Sequence, residues 1–182
     1  AFVAWAQDDY IHGRFFDSHG AALGQEFTIA SSAPAGQNWP HITVTIDDQI
    51  AVSWTVNGTL YSKMMTPDGA SIGETVALTS SVSIGWNVYS TPLPDGGVFY
   101  SWRGFDGSGE GAEARVIDRK GLIVSDELLV NTATAGNQYA QQAAASSQGV
   151  VLSTFFDDSG IDGAGTGVFT QVFNLTAADV SQ

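Results

Sequence analysis

Ala51-Val52-Ser53-Trp54 is a short apolar run ending in tryptophan, and variants of it stand on either side. Phe2-Val3-Ala4-Trp5 precedes it, Val98-Phe99-Tyr100-Ser101-Trp102 follows it, and Val150-Val151-Leu152-Ser153-Thr154 comes last, with Thr154 in the place of the tryptophan. The spacing is about 50 residues each time, which marks an internal repeat. A second series sets a long polar side chain before two apolar ones: Arg14-Phe15-Phe16, Lys63-Met64-Met65, Arg115-Val116-Ile117 and Gln171-Val172-Phe173. Ser18-His19-Gly20, Pro67-Asp68-Gly69 and Arg119-Lys120-Gly121 then supply turns in which glycine takes the positive φ. Finally Gly36-Gln37-Asn38-Trp39, Gly85-Trp86-Asn87-Val88 and Gly136-Asn137-Gln138-Tyr139 lead into the next unit.

Each unit therefore reads as four antiparallel strands, a to d, with b ending at the tryptophan position. The one helix-compatible stretch, Gln138 to Ala145, falls where strand a lies in the other units, so register argues for strand over propensity. The expectation is an all-β, β-propeller-like array of four four-stranded units, approximately 1–37, 38–86, 87–137 and 138–182, in a single domain. Strand a of the first unit would precede Ala1, and little follows strand c of the last. Two forms are expected from this: a four-bladed ring closed by pairing of the segment after Asn174 with the first unit, or a fragment of a larger propeller. Trp5, Trp54 and Trp102 should all be buried, with Thr154 leaving the fourth unit less well packed.

Composition narrows the function classes. With 43% hydrophobic residues, Phe 10, Trp 5 and Tyr 5, the chain has the apolar surface to collapse, which excludes a disordered acidic tail. Six Lys and Arg against 19 Asp and Glu give a net charge of -13, which argues against nucleic acid and against anionic membranes. No apolar run approaches the roughly 18–20 residues of a membrane span, so membrane insertion is not expected. Cys 0 removes disulfides and thiolate metal sites. The opening Ala1-Phe2-Val3 has neither an initiator Met nor a charged leader, as in a mature form or a fragment.

The third unit carries a resemblance. Trp102, Asp106-Gly107-Ser108-Gly109-Glu110-Gly111, Arg115-Val116-Ile117-Asp118, Gly121 and the run from Val130 to Gln138 resemble a repeat of very large secreted bacterial proteins of the calcium-dependent adhesin and RTX toxin-like type. The resemblance covers all four units and is strongest in the third. It implies a secreted or cell-surface, bacterial, non-enzymatic protein, with calcium as an expected ion and a larger polypeptide or assembly as its setting.

Meander topology puts the b–c loops and the d–a connections at one end of the units. That end gathers Asn38, Trp39, Trp86, Asn87, Gln138 and Tyr139, alongside Asp8, Asp9, Asn57 and the acidic loops. Flat aromatic rings beside amides and carboxylates suit a sugar, so a glycan or cell-surface polysaccharide is the expected partner. The competing reading has the amides capping strand starts and the aromatics wedged between units. Asp106, Ser108 and Glu110 alternate as in a calcium loop, and Asp157, Asp158 and Asp162 form a second acidic cluster; ordinary turn chemistry is the favoured account of both. Arg14, Lys63 and Arg115, at one repeated position, are expected to reach between units to a carboxylate or to backbone carbonyls.

Catalytic motifs are few. Gly69-Ala70-Ser71-Ile72-Gly73 has the nucleophile-elbow string but reads as a c–d turn, since the same place in the first unit is Gly20-Ala21-Ala22-Leu23-Gly24. Gly163-Ala164-Gly165-Thr166-Gly167 has no following helix to hold a phosphate. His12, His19 and His41 fall at unrelated positions. Two carboxylates among Asp8, Asp9, Asp106 and Asp157 are all that a glycoside hydrolase could draw on, and no long insertion walls them in. A binding or adhesion module is the expected function, a structural or assembly module the alternative, and a glycoside-processing enzyme the third.

Overall fold

A computed structural model describes residues 1–31, 39–79 and 88–175. Among these residues every regular element is a strand, and none is a helix. β1 (Phe2–Gln7), β2 (Tyr10–Phe16) and β3 (Ala22–Ser31) form the first sheet, in sequential antiparallel order. The second holds β4 (His41–Val44), β5 (Ile50–Val56), β6 (Thr59–Met65) and β7 (Ser71–Ala77). In the third are β8 (Val88–Pro92), β9 (Val98–Phe105), β10 (Glu110–Ile117) and the short β11 (Leu128–Leu129). The fourth consists of β12 (Gln138–Ala145), β13 (Val150–Asp157) and β14 (Gly167–Asn174). The expected meander is thus present four times, and Gln138 to Ala145 is a strand. The expected strand count is corrected at both ends, where the first and fourth sheets have three strands among the described residues.

Identical turns impose this register. Thr45, Leu93 and Ser146 each start an a–b turn in which their N–H donates to the carbonyl four residues on. Asp17, Thr66 and Asp118 do the same in the c–d turns, and their side chains also accept backbone N–H groups within the turn. A side-chain oxygen at the turn start satisfies donors the loop would otherwise leave open. The b–c links of the first two sheets are two-residue turns, Asp8-Asp9 and Asn57-Gly58, all four residues at positive φ as a type I′ hairpin requires.

The a–b turns correct one expectation. Matching Ser146 to Thr45 and Leu93 places Val151 with Ile50 and Val98, and therefore Phe155, not Thr154, with Trp54 and Trp102. Phe155 is buried and stacks on Phe169 with ring centroids 5.8 Å apart, so the fourth sheet keeps an aromatic in the repeated place.

Both faces of the middle sheets are apolar, because each is covered twice. Ile11 and Ile29 of the first sheet pack with Ile50, Val52 and Trp54 of the second. Ala51, Leu60 and Met64 on the other face of the second pack with Val98, Tyr100 and Trp102 of the third. Phe99, Ala114 and Val116 on the far face of the third meet Ala140, Val151 and Phe155 of the fourth. The sheets thus stack in chain order, and no hydrophobic cluster among the described residues joins the fourth to the first. Strands β4, β8 and β12 run next to one another, tied by a Thr43–Ser90 hydroxyl bond and by Thr91 Oγ1 donating to the Ala143 carbonyl at 2.8 Å.

Trp54 and Trp102 are 3% and 1% exposed, as the repeat predicts. Trp5 departs from that expectation: it is only half-buried, stacked on His12, because among the described residues no other sheet packs on its side of the first sheet. The repeated cation does bridge sheets. Lys63 Nζ donates to the Ile29 carbonyl of the first sheet at 3.0 Å, and Arg115 Nη1 to the Leu78 carbonyl beside the second at 2.7 Å. Arg14, without a preceding sheet, turns to the Gly24 carbonyl of its own.

Candidate functional site

The end bearing the b–c loops is built around two amides that composition alone does not single out. Asn131, buried, accepts from the Ala112 N–H at 2.8 Å and donates to Asp106 Oδ2, to the Ala133 carbonyl and to Gln138 Oε1. Asn137 accepts from the Glu110 N–H at 3.2 Å, while its own N–H and side-chain amide both donate to Asp158. The connection from the third unit to the fourth is thereby stitched to the b–c loops of both, and hydrogen bonds from Asn137 hold the Asp158 carboxyl below its ordinary range.

The residues expected at this end separate into groups. Trp39, just ahead of β4, is 59% exposed. Tyr139 is half-buried, with the Arg103 guanidinium 4.4 Å above its ring, and Arg103 also pairs with Glu110. Gln138 is fully buried and spent inside the fold, its oxygen on Asn131 and its nitrogen on the Ala135 carbonyl. Asn38, Trp86 and Asn87 lie outside the described residues.

The acidic loops make turns. Asp106 Oδ1 accepts from the N–H groups of Ser108 and Gly109, Asp157 from that of Ser159 and Asp162 from that of Ala164. Together with Glu110 on Arg103 and Asp158 on Asn137, these side chains are engaged one by one, and among the described residues no three His, Asp or Glu converge. His12, His19 and His41 stand on β2, in a turn and on β4; burial lowers the pKa of His41. Ser71 starts β7 directly after a c–d turn, and Gly167 opens β14, so neither glycine string leads into a helix.

One paired carboxyl group does exist, away from this end's surface. Glu113 on β10 accepts from Trp102 Nε1 at 2.9 Å and is hydrogen-bonded to Glu127, which lies 3.8 Å from Arg115. Burial, reinforced by the neighbouring Glu127 charge, pushes the Glu113 carboxyl up to about 7, although the Trp102 hydrogen bond works the other way. The carboxyl lies over Gly104, where any side chain would collide with it. A glutamate flanked by Ala112 and Ala114 was the available signal; its partner Glu127, in an irregular stretch further on, left none in the spacing. Glu113 is buried on the face that meets the second sheet, and Glu127 beside it is partly exposed.

At the opposite end, a cleft of about 370 Å³ opens between the ends of β4, β8 and β12, lined by Val44, Ile46, Pro92, Leu93, Ala145 and Ser147. It is largely apolar and carries no catalytic group. The chain matches no family model and no curated protein.

Proposed function

We propose that this chain is an extracellular binding or adhesion module of propeller-like architecture, whose b–c loop end recognises carbohydrate. The observation that carries the reading is Trp39: a tryptophan 59% exposed, at the end of the sheets that also holds the acidic b–c loops and the Arg103–Tyr139 pair. An exposed indole supplies the flat face that the C–H side of a pyranose packs on. A single shallow site of this kind binds weakly, and avidity on a glycan-coated surface would come from several such sites together. The reading rests on Trp39 and does not depend on calcium.

Glycan-array binding, at millimolar calcium and again with chelator, tests it alongside thermal melting. Trp39→Ala is expected to lower glycan binding at least tenfold while shifting the unfolding midpoint little, and Tyr139→Ala to act in the same direction more weakly. If no glycan binds under either condition, the alternative of a structural or assembly module takes its place. The open outer faces of the first and fourth sheets favour that second reading.

A further inference from the structure

In the second and third sheets, the repeated tryptophan lies on the face turned toward the preceding sheet and is covered by it. The repeated cation of the same face, Lys63 or Arg115, finds a carbonyl of that preceding sheet. The first sheet presents the same surface with nothing against it among the described residues. Trp5 is half-buried, Val3 is 45% and Tyr10 43% exposed, and Arg14 has only its own sheet to bond. The fourth sheet is open on the opposite side. Val151, Ser153 and Phe155 face the third sheet and are buried, so Leu152 and Phe156, which alternate with them, face outward with their cross-strand partners Val172 and Val168. Val168 is 67% exposed and Val172 50%. Isolated exposed apolar residues are ordinary, but four on one sheet face form a patch of the kind that marks an interface.

We propose that these two faces are the two halves of one interface, and that a second copy of this chain fills it, the fourth sheet of one copy packing on the first sheet of the next. The contact continues the stacking already present three times within the chain, each time with the following sheet's aromatic laid on the preceding sheet's outer face. It is heterologous, so two copies close a ring only if the angle between successive sheets allows, and otherwise the array extends. The net charge of -13 on each copy opposes the association at low ionic strength, so added salt should strengthen it. Assembly would also bring the Trp39 sites of several copies onto one particle, although the proposal stands without them.

Sedimentation of the unmodified chain over a concentration series up to about 1 mM, the weak limit of a useful interface, reads this directly. The expected mass is that of two chains or more, rising with concentration and with salt; a single-chain mass throughout overturns the proposal. Two variants test the polarity. Val3→Lys with Tyr10→Lys spoils only the first face, and Phe156→Lys with Val168→Lys only the fourth. Each variant should remain single with the unfolding midpoint of the unmodified chain, and mixing them should give a one-to-one pair that grows no further. Self-association of either variant alone would show like faces meeting and would contradict the head-to-tail arrangement.

Discussion

Trp102 in the third sheet and Trp5 in the first hold the same place in the repeat, yet one is sealed and the other half open. Around Trp102 every device of the fold is complete. Its indole N–H donates to Glu113, its ring lies among Val88, Val98 and Ile117, and Arg115 from the same sheet face reaches the Leu78 carbonyl beside the sheet before it. Around Trp5 the same residue types have no sheet against them among the described residues. The ring stacks on His12 and its N–H turns to Gln7, both within the first sheet. A sheet of this repeat is therefore finished by the sheet that precedes it, and side-chain identity alone does not bury a residue.

The largest difference should appear on truncating the aromatic. Trp102→Ala and Phe155→Ala are expected to cost about 3–5 kcal/mol each in chemical denaturation, the usual range for a large buried aromatic. Trp5→Ala should cost about 1–2 kcal/mol and Thr154→Ala less than about 1 kcal/mol. Equal losses at Trp5 and Trp102 would mean that the first sheet is covered after all.

Next in size is a pH effect confined to the complete region. The Glu113 carboxyl titrates at about 7 in the fold against 4.5 in the unfolded chain, so the fold favours its protonated form. Its contribution is fully present below pH 4.5 and is lost as pH rises through about 7. The unfolding midpoint should therefore fall as pH rises from about 5 to 8. Glu113→Gln keeps an acceptor for Trp102 and a donor toward Glu127, and should flatten the dependence of the unfolding midpoint on pH over that range. A dependence as steep as in the unmodified chain would place the titrating group elsewhere.

Smaller again is the bridging cation. Replacing Arg115 or Lys63 by Met keeps much of the stem and strands a carbonyl of the preceding sheet, at about 1–3 kcal/mol. Arg14→Met, with only a bond inside its own sheet, should stay within about 0.5 kcal/mol. An Arg14 loss as large as that of Arg115 would erase the contrast between the sheets.

Much of this contrast is legible in the sequence. The tryptophan spacing, the cation before two apolar residues and the turn glycines fix the number of units and their strand order, because a hairpin of defined length leaves little freedom in register. The fourth unit misleads because Ser153 imitates Ser53 and Ser101, which precede tryptophan, whereas the turn at Ser146 sets the pairing one residue later. Alternation could not catch the slip, since Leu152 and Phe156 on the outer face are as apolar as Val151 and Phe155 on the inner. The site at the loop end is legible only as a set of residue types. Gln138 and Asn131 belong to the same chemistry as a sugar contact and are buried as internal amides, a distinction made by the path of the connection from residue 130 to 137, which carries no periodic signal.

Amide hydrogen exchange, followed residue by residue at a concentration too low for self-association, tests most directly whether the ends of the stack are open. The protection of β9 and β10 should equal the free energy of global unfolding, because both faces of their sheet are covered. Amides of β1 and β14 that are hydrogen-bonded to β2 and β13 should exchange far faster, through local opening, because one face of each of their sheets is uncovered among the described residues. Protection of Phe2–Gln7 and Gly167–Asn174 as strong as that of Val98–Ile117 would contradict the account, since it would require the outer faces of both end sheets to be covered.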